Sequence, residues 1–438
     1  MKKKEKRLGK KYFMRRNVLL ILAVLALASA TVFADSNNKG TVTVVHTFTG
    51  NNGAFPDASL TADAAGNLYG TTQIGGTYGF GLVFQLSLQS DGKWRYTALC
   101  EFTGGNDGGN PLGSLLFDKA GNAYGTASSG GASGAGVVFK LTRSASPGAQ
   151  VEESVLYSFQ GGSDGELPFG NVVFDAAGNL YGTTSRGGVG HIGCLSGCGT
   201  IYELTPTTSG PWQETILHAF IDAFSEGAEP RAGLVFDSAG NLYGTTNSGG
   251  DNDVCNTFNS DGCGTVFELS QTSPGKWQLN SFDFNLTDGG RPQAGVTLDG
   301  KGNLFGATTV GGTNNGGTLF SFTQVAGQWK LGHLYSFAEM NSAPSGNLVL
   351  DSAGNLYGTT YQGGANLWGS VFEIVPDSKG WTERTLYSFP VQGNPTGAYP
   401  SDGVFIDGSG NLFLTASEGG NLNDCSGSGC GTVIELSK

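Results

Sequence analysis

One phrase returns seven times along this chain and constrains its fold more than any other feature. It has the form Asp-x-x-Gly-Asn-[Leu/Ala]-[Tyr/Phe]-[Gly/Leu]-[Thr/Ala]-[Thr/Ala], and the copies start 52 to 62 residues apart, at Asp63, Asp118, Asp175, Asp237, Asp299, Asp351 and Asp407. A proline stands seven positions before every one of these aspartates: Pro56, Pro111, Pro168, Pro230, Pro292, Pro344 and Pro400. Self-similarity at a fixed period indicates one supersecondary unit repeated through the chain.

Each repeat holds four short runs rich in β-branched and aromatic residues, separated by Gly, Asn, Ser and Pro. In the third repeat these runs are Asn171–Asp175, Asn179–Ser185, Gly199–Thr205 and Glu214–Phe220. Such runs predict strands. The 74 glycines among 438 residues agree with many tight turns. Four antiparallel strands in a repeat of this length predict an all-β fold, a seven-bladed β-propeller with four strands per blade.

The two ends of the array predict how the ring closes. The last repeat stops after its third run, GTVIELSK, and lacks a fourth. A run of the missing type, TVTVVHTF, stands unused at Thr41–Phe48. Pairing it with the last repeat would remove an open sheet edge. We therefore predict that Thr41–Phe48 completes the last blade, and that residues 35–438 form one propeller.

Residues 1–34 have the three-part pattern of a secretory signal peptide: a basic start, an apolar run over Val18–Ala28, and small residues before Ala30 and Ala34. We predict cleavage near Ala30 or Ala34. An uncleaved anchor is the alternative, although 11 apolar residues are few for a membrane span of about 20. Arg15-Arg16 leaves both general and twin-arginine export open. The protein is thus predicted to be secreted, either into the periplasm or out of the cell, with no membrane span after signal removal.

Removing this segment changes the charge of the protein. Residues 1–34 hold nine of the 24 basic residues and only Glu5 of the 36 acidic ones, so 15 basic and 35 acidic residues remain, a net charge of −20. An acidic surface repels phosphate backbones, which argues against a nucleic-acid partner. The expected partner is a glycan or a secreted protein, and the chain is expected to be a monomer.

The repeated pattern GNLYGTT…GG…G-[T/V]-V-F-x-L after a secretory signal resembles the GloVer (Gloeo/Verruco) tandem-repeat family of exported bacterial proteins. The resemblance covers nearly all of the chain beyond residue 34. It implies export and a repeat fold, and it transfers no catalytic or binding residue. Members commonly carry a C-terminal surface anchor, which this sequence does not show, so release from the cell is the expectation.

Residues that occupy the same position in every repeat are interpreted as scaffold. Asp-x-x-Gly-Asn suits a hairpin turn and lacks the alternating carboxylates of a calcium loop. His46, His218 and Cys100 fill a fourth-strand position that is tyrosine in other repeats, and we expect them to pack between blades. Five tryptophans at the start of fourth strands are expected to pack likewise: Trp94, Trp212, Trp277, Trp329 and Trp381. No cofactor is predicted, and a divalent cation such as calcium stays open.

Six of the seven cysteines form three close pairs, each inside a loop between a second and a third strand. The pairs are Cys194 with Cys198, Cys255 with Cys263, and Cys425 with Cys430. In an exported protein this spacing predicts three disulfides within loops.

In a propeller, the loops between second and third strands share a face with the links from one blade to the next. Irregular residues on this face are the candidates for ligand binding, because loops on a rigid scaffold commonly carry binding sites. The loop candidates are Tyr78, Phe80, His191, Phe258 and Trp368. The link candidates are Asp164, Glu166, Glu229, Arg231 and Arg291, with Asp107, Glu226, Asp288 and Glu339 as further carboxylates of the links.

Aromatic rings beside carboxylates suit a carbohydrate, so the favoured hypothesis is a non-catalytic binding or interaction module. The first alternative is a polysaccharide lyase or hydrolase with carboxylates meeting at the axial mouth. It is less favoured, because no link combines His, Tyr and carboxylates and the four histidines are scattered. The second alternative is a structural protein of the extracellular matrix.

Overall fold

Seven small antiparallel sheets of four strands each form a ring, as the computed structural model shows. It describes residues 32–34, 40–143, 151–188, 193–250, 255, 262–338, 342–378, 380–391 and 393–437. The protein is a seven-bladed β-propeller, which confirms the predicted fold.

The strands of each blade are counted from the axis outward, and the blades are numbered along the chain. The first strands of blades 1 to 7 are Thr61–Ala62, Leu116–Phe117, Val173–Phe174, Val235–Phe236, Thr297–Leu298, Val349–Leu350 and Phe405–Ile406. The second strands are Leu68–Thr72, Ala123–Ala127, Leu180–Thr184, Leu242–Thr246, Leu304–Thr308, Leu356–Thr360 and Leu412–Ala416. The third strands are Leu82–Leu88, Val137–Thr142, Thr200–Thr205, Thr265–Ser273, Thr318–Val325, Ser370–Asp377 and Thr432–Ser437. The fourth strands are Trp94–Glu101, Glu152–Ser158, Gln213–Ala219, Lys276–Asp283, Gln328–Ser336, Gly380–Ser388 and, for blade 7, Thr41–Thr47. Two 3₁₀ turns lie at Gly162–Asp164 and Cys425–Gly427.

The N-terminal strand closes the ring as predicted. Thr41–Thr47 pairs with Thr432–Ser437, with Val42 opposite Leu436. A short fifth strand, Val32–Ala34, pairs with Thr41–Thr43 on the outside of blade 7. Cleavage after Ala30 would keep this fifth strand and cleavage after Ala34 would remove it, and residues 1–31 of the predicted signal peptide lie outside the described residues.

The aspartate of the repeated phrase holds its own hairpin turn. In blade 1, Oδ1 of Asp63 accepts the N–H groups of Ala65 and Asn67 at 2.9 and 3.0 Å. Oδ2 accepts the Asn67 side chain and the Tyr69 hydroxyl, both at 2.8 Å. Burial by itself would raise the pKa of Asp63, but these hydrogen bonds outweigh it and hold the pKa below its usual value. The phrase is therefore a structural turn, as predicted.

The Gly-Thr-Thr part of the phrase joins one blade to the next. A Cβ atom on Gly70 would lie 2.6 Å from the ring of Phe84, so glycine makes room for this core ring. The Thr183 hydroxyl donates to the carbonyl of Ala232 in the following blade at 2.8 Å. Five other blades make the same kind of contact with the threonines Thr71, Thr126, Thr245, Thr359 and Thr415.

The residue before each repeated proline is hydrogen-bonded to the preceding blade. The residue before the proline donates its N–H across the blade boundary, as Phe55 does to the Cys430 carbonyl at 3.0 Å. All seven of these residues have a positive φ, between 49° and 58°: Phe55, Asn110, Leu167, Glu229, Arg291, Ala343 and Tyr399. This left-handed backbone is costly for residues with a side chain. Since this conformation recurs in every blade, the contacts between blades hold each of these residues in it.

Most of the core lies between blades. Seven clusters of buried hydrophobic residues each combine side chains of neighbouring blades. Four of the five predicted inter-blade tryptophans contact second-strand rings of the preceding blade, for example Trp94 with Phe413 at 5.7 Å between centroids. The fifth, Trp277, packs against a core cluster that combines blades 3 and 4. His46 stacks on the ring of Tyr96 in blade 1, with centroids 4.3 Å apart, so it packs between blades as predicted. His218 packs edge-on against Phe220, which directly follows its own strand.

Candidate binding site on the loop face

The loops between second and third strands lie beside the blade-to-blade links, as predicted. Backbone bridges join them, as between Ala54 and Ile74 and between Glu166 and Arg186. We call this side of the ring the loop face.

Exposed apolar side chains concentrate on the loop face. Ten large hydrophobic side chains are exposed among the described residues, and only Leu88 and Val325 belong to hairpins between third and fourth strands. The other eight lie on the loop face: Tyr78, Phe80, Leu195, Ile221, Phe224, Leu367, Val391 and Leu422. Apolar surface gathered on one side of a protein marks an interaction surface.

A cavity of about 370 Å³ opens on the loop face between blades 3 and 4. We call it the 3/4 cavity. Its walls come from the blade 3 loop, the link into blade 4 and the blade 4 loop: Arg186, Gly193–Gly197, Ala223, Phe224, Ala228, Glu229, Ser248 and Gly249. Two apolar side chains are exposed here, Phe224 at 44 % and Leu195 fully. The size lies within the usual range for small-ligand sites.

Local structure fixes the walls of the 3/4 cavity. The Cys194–Cys198 disulfide closes the short loop that presents Leu195, and Gly187 donates its N–H to the Ser196 carbonyl at 2.9 Å. On the other wall, Glu226 anchors the link, because its carboxylate accepts the Ile221 N–H and lies 3.3 Å from Nε2 of His218. The cavity is therefore formed before any ligand binds.

The loop face carries its cations in one sector. Among the described residues of this face, the basic side chains are Arg186, Arg231 and Arg291, and they belong to blade 3 and the links into blades 4 and 5. Arg231 pairs with Glu229 at 2.8 Å and lies 6.0 Å from the centre of the Phe169 ring. Arg186 is exposed and forms no side-chain hydrogen bond or ion pair with any described residue. The 3/4 cavity thus combines apolar surface, one unneutralised cation and one ion pair.

Only some of the predicted binding residues meet at this cavity. Glu229 lines it, Arg231 is bonded to Glu229, and Glu166 pairs its backbone with Arg186. The others lie elsewhere on the ring: Tyr78 and Phe80 in the blade 1 loop, Asp164 in the link into blade 3, Arg291 in the link into blade 5, and Trp368 in the blade 6 loop. His191 and Phe258 lie outside the described residues.

Two of the predicted loop aromatics occupy a repeated position. Phe80 and Trp368 stand directly before the glycine that opens the third strand, where other blades have the second cysteine of a disulfide. Their backbone carbonyls accept the inter-blade N–H of Asn110 and Tyr399 at 2.7 and 3.0 Å. Trp368 is half-buried and packs edge-on against Tyr399, with ring centres 5.2 Å apart. Part of each residue is therefore used by the scaffold.

Sequence reasoning missed Arg186, Leu195 and Phe224. The signal for Arg186 was present, because the other six repeats have Ile74, Ser129, Ser248, Val310, Gln362 and Glu418 at the same position. The signal for Leu195 was that it is the large apolar residue inside the loop closed by Cys194 and Cys198. Phe224 lies in a blade link, a class of segment in which the sequence argument singles out charged residues alone.

All three predicted disulfides are present: Cys194–Cys198, Cys255–Cys263 and Cys425–Cys430. Cys100 is the free cysteine and is half-buried between blades 1 and 2. Burial, with the nearby carboxylates of Glu153 and Asp107, raises the pKa of its thiol to about 12. The thiol is therefore protonated at neutral pH and a poor nucleophile.

Several link carboxylates that the sequence singled out are bonded within their own junctions, as Glu226 is beside His218 and Glu229 is paired with Arg231. Asp164 accepts from the Tyr157 hydroxyl and the Gln160 N–H, both at 2.5 Å, within its own junction. Two other link carboxylates, Asp57 and Asp402, do lie together near the axis, where burial and the negative charge of Asp402 raise the pKa of Asp57 to about 6; the sequence did not single them out. Asp402 is bonded to three backbone N–H groups and Asp57 to Ser401. No group of three His, Cys, Asp or Glu in the described residues is placed to hold a metal ion.

A half-buried acid pair, Asp164 and Glu214, lies in the junction between blades 2 and 3. The Tyr157 hydroxyl is 2.5 Å from Oδ1 of Asp164 and 3.2 Å from Oε2 of Glu214. Burial, together with the hydrogen bond and negative charge of Asp164, raises the pKa of Glu214 to about 9. Glu214 therefore keeps its proton at neutral pH, beside the Asp164 carboxyl group.

This acid pair makes stability depend on pH in a defined direction. The native state holds the Glu214 proton up to about pH 9, whereas the unfolded chain loses it near the ordinary value of 4.5. Stability is therefore lost as pH rises from about 4.5 to 9. Glu214→Gln has no proton to lose and keeps an amide donor for Asp164. At pH 7 we expect its free energy of unfolding to exceed that of the parent by about 1–2 kcal/mol after allowance for solvent screening. It should therefore unfold at a higher urea concentration.

The Glu153→Gln variant is the control for this effect, since burial and the charge of Asp107 raise the pKa of Glu153 only to about 7. Its benefit should grow between pH 4.5 and 7 and then stay constant, while that of Glu214→Gln grows to pH 9. Urea titrations at pH 4, 7 and 9 separate the two. Identical pH profiles for Glu214→Gln and the parent would contradict a proton held by Glu214 in this junction.

A ring of repeats with disulfide-stiffened loops on one face defines a propeller repeat protein. The chain belongs to the Gloeobacter/Verrucomicrobia repeat family, whose model matches residues 25–258 and 253–437. This confirms the resemblance seen in the repeated phrase. No curated protein is detectably similar in sequence.

Three solved structures are similar to this chain at low sequence identity. A provisionally named 6-phosphogluconolactonase from Bacteroides fragilis NCTC 9343 is 14 % identical with a TM-score of 0.51, covering 86 % of this chain and 97 % of that one. Another from Bacteroides uniformis ATCC 8492 is 14 % identical with a TM-score of 0.48, covering 82 % and 94 %. A provisionally named oxidoreductase (glucose dehydrogenase) from Thermus thermophilus is 16 % identical with a TM-score of 0.43, covering 91 % and 99 %. At these identities the likeness concerns the fold alone.

Across the described residues, no helix is both long enough and apolar enough to cross a membrane. The three disulfides are compatible with an oxidising compartment outside the cytoplasm.

Proposed function

We propose that this protein is an exported, non-catalytic binding module that holds a carbohydrate in the 3/4 cavity. The observation that carries the proposal is the exposed pair Phe224 and Leu195 beside Arg186 and the Glu229–Arg231 ion pair. Sugar rings present an apolar face and a rim of hydroxyl groups, and this cavity offers a counterpart to both.

The arrangement of charged groups favours binding over catalysis. Glycoside hydrolysis by paired carboxyl groups needs them about 5 to 10 Å apart across one substrate bond. Among the described residues that line the 3/4 cavity, the carboxylate is Glu229, and it is already paired with Arg231. A binding role requires no second carboxylate. We also propose that the protein acts as a monomer outside the cytoplasm.

Removal of the apolar wall tests this proposal. Phe224→Ala removes the ring that a bound sugar would contact, so we expect retention on an immobilised polysaccharide panel to weaken at least tenfold. Leu195→Ala should weaken it less, because the side chain is smaller. Affinity electrophoresis or a glycan array with the secreted protein provides the measurement.

The matched control is Leu88→Ala, which removes an exposed apolar side chain of 57 % exposure from a hairpin away from the loop face. It should leave retention unchanged. Equal retention of Phe224→Ala and Leu88→Ala on a polysaccharide that the parent binds would contradict the placement of the site. Release of new reducing ends from that polysaccharide would contradict the non-catalytic role.

A further inference from the structure

We infer that the 3/4 cavity binds a carboxylate group of its ligand. The ligand class is then an acidic polysaccharide built of uronic-acid sugars. The inference rests on the proposed function, because it names the substrate class of the same cavity. It is carried by the position and the free state of Arg186.

Arg186 departs from the repeat at a position that the fold fixes. It follows the second-strand Thr-Thr-Ser and precedes the Gly-Gly pair, and its backbone pairs with Glu166 at 3.0 and 3.2 Å. The equivalent residues of the other blades include one acid, Glu418, and no other base. The scaffold therefore does not require a cation here, and the same backbone geometry is reached without one.

The Arg186 guanidinium is available to a ligand. It is exposed, lines the cavity, and has no side-chain partner within the part of the chain that the structure describes. The residues beyond position 34 carry a net charge of −20, yet this site keeps a cation that no described residue pairs with. A guanidinium binds a carboxylate through two parallel hydrogen bonds, which fixes its orientation as well as its charge.

The rest of the cavity fits the remainder of a uronic acid. Phe224 and Leu195 provide apolar surface for the face of a sugar ring. Oε2 of Glu229 accepts one bond from Arg231 at 2.8 Å and, as a carboxylate, keeps further acceptor sites for hydroxyl groups. The ion pair is locally neutral, so the net positive charge inside the cavity is that of Arg186. One cation beside one apolar wall matches a sugar with one anionic group.

A densely charged polyanion fits this surface less well. The protein is acidic overall, and long-range repulsion opposes ligands whose charges are closely spaced along the chain. A uronic-acid polymer has one carboxylate per sugar ring. We therefore assign a carboxylate, rather than a sulfate, as the group that Arg186 binds. Sulfated glycans serve as the contrast in the test.

The test compares ligands that differ only in this charge. Oligosaccharides of polygalacturonate and of alginate are offered to the secreted protein as free acids and as methyl esters, which keep the sugar rings and remove the negative charge. We expect the free acid of the recognised sugar to bind at least tenfold more tightly than its ester, and to weaken as salt increases. Arg186→Gln should abolish this preference, so that the free acid binds no more tightly than the ester.

Arg95→Gln is the matched control, because Arg95 is an exposed arginine on the fourth strand of blade 1, and it should keep the preference. Equal binding of acid and ester by the parent, lost in Phe224→Ala, would overturn the inference and leave the proposed function standing. Tighter binding of a sulfated glycan than of any uronate would overturn the carboxylate assignment. Binding of no glycan in either form would overturn the proposed function and the inference together.

Discussion

Gly431→Ala is expected to lower the free energy of unfolding by about 3–4 kcal/mol, a large effect for one methyl group. Gly431 opens the third strand of blade 7 with a φ of +96°. A Cβ atom there would lie 2.5 Å from both the Ala416 carbonyl oxygen and the Pro56 ring. The added methyl group therefore meets left-handed backbone strain and a steric clash together, at the joint between the last blade and the first.

Gly66→Ala separates these two costs. Gly66 has a similar φ of +81°, but a Cβ atom on it would meet nothing within 4 Å. This variant should lose only the backbone part, about 1 kcal/mol. Urea unfolding of both variants at one pH gives the comparison, provided that the m-value stays constant. Equal losses for the two glycines would contradict a tight contact between Pro56 and Gly431.

A double variant keeps the test informative if Gly431→Ala folds poorly. Pro56→Ala removes the ring atoms that the new methyl group would strike, although the Ala416 carbonyl remains. We expect the double variant to be more stable than the sum of the two single losses predicts, which is the sign of a direct contact. Strictly additive losses would show that the two positions do not touch.

The sequence predicts this fold well because the contacts that build the ring recur in every repeat. The aspartate turn of Asp63 and the threonine contact of Thr183 each satisfy a repeated polar residue within one blade or across one boundary. Repetition therefore exposes scaffold residues without an alignment. The left-handed backbone before each proline could not be predicted from the sequence, because residues of different types, from Phe55 to Tyr399, occupy that position.

The candidate site was derived from the sequence only in part, because its face could be derived and its position along the ring could not. Strand order places loops and links on one side, so Glu229 and Arg231 were identified. Which of seven similar sectors forms a cavity depends on packing between a loop and the next link, as where Phe224 lies against Gly193. That contact joins segments about 30 residues apart and leaves no local pattern.

The departures from the repeat, rather than its strongest features, are where function is expected. Cys194 and Arg186 are both departures within one loop, and together they present Leu195 and a free cation at the same cavity. Trp368 shows that a departure can also serve the scaffold, since its ring packs against Tyr399 of the link into blade 7. A departure indicates a site most strongly when its side chain is both exposed and unpartnered.

Asp402→Ala is expected to destabilise the ring by about 3 kcal/mol, because Asp402 joins three blades near the axis. Its Oδ2 accepts the Ser59 N–H of blade 1 at 2.7 Å. Its Oδ1 accepts the N–H groups of Gly403 in its own blade and of Asn347 in blade 6, at 2.7 and 3.2 Å. Alanine would leave three N–H groups without an acceptor at the closure of the ring, and each buried unpaired group costs about 1–3 kcal/mol.

Two further variants test whether this loss comes from the hydrogen bonds. Asp402→Asn keeps an oxygen that accepts from Gly403 and Asn347, and it loses the oxygen that accepts from Ser59. It also removes the cost of burying a carboxylate charge, a cost that raises the pKa of Asp402. It should therefore lose no more than about 1 kcal/mol. Asp91→Ala removes an exposed turn acid and should change little. If Asp402→Ala unfolded at the same urea concentration as Asp91→Ala, the axial contacts would not contribute to closing the ring.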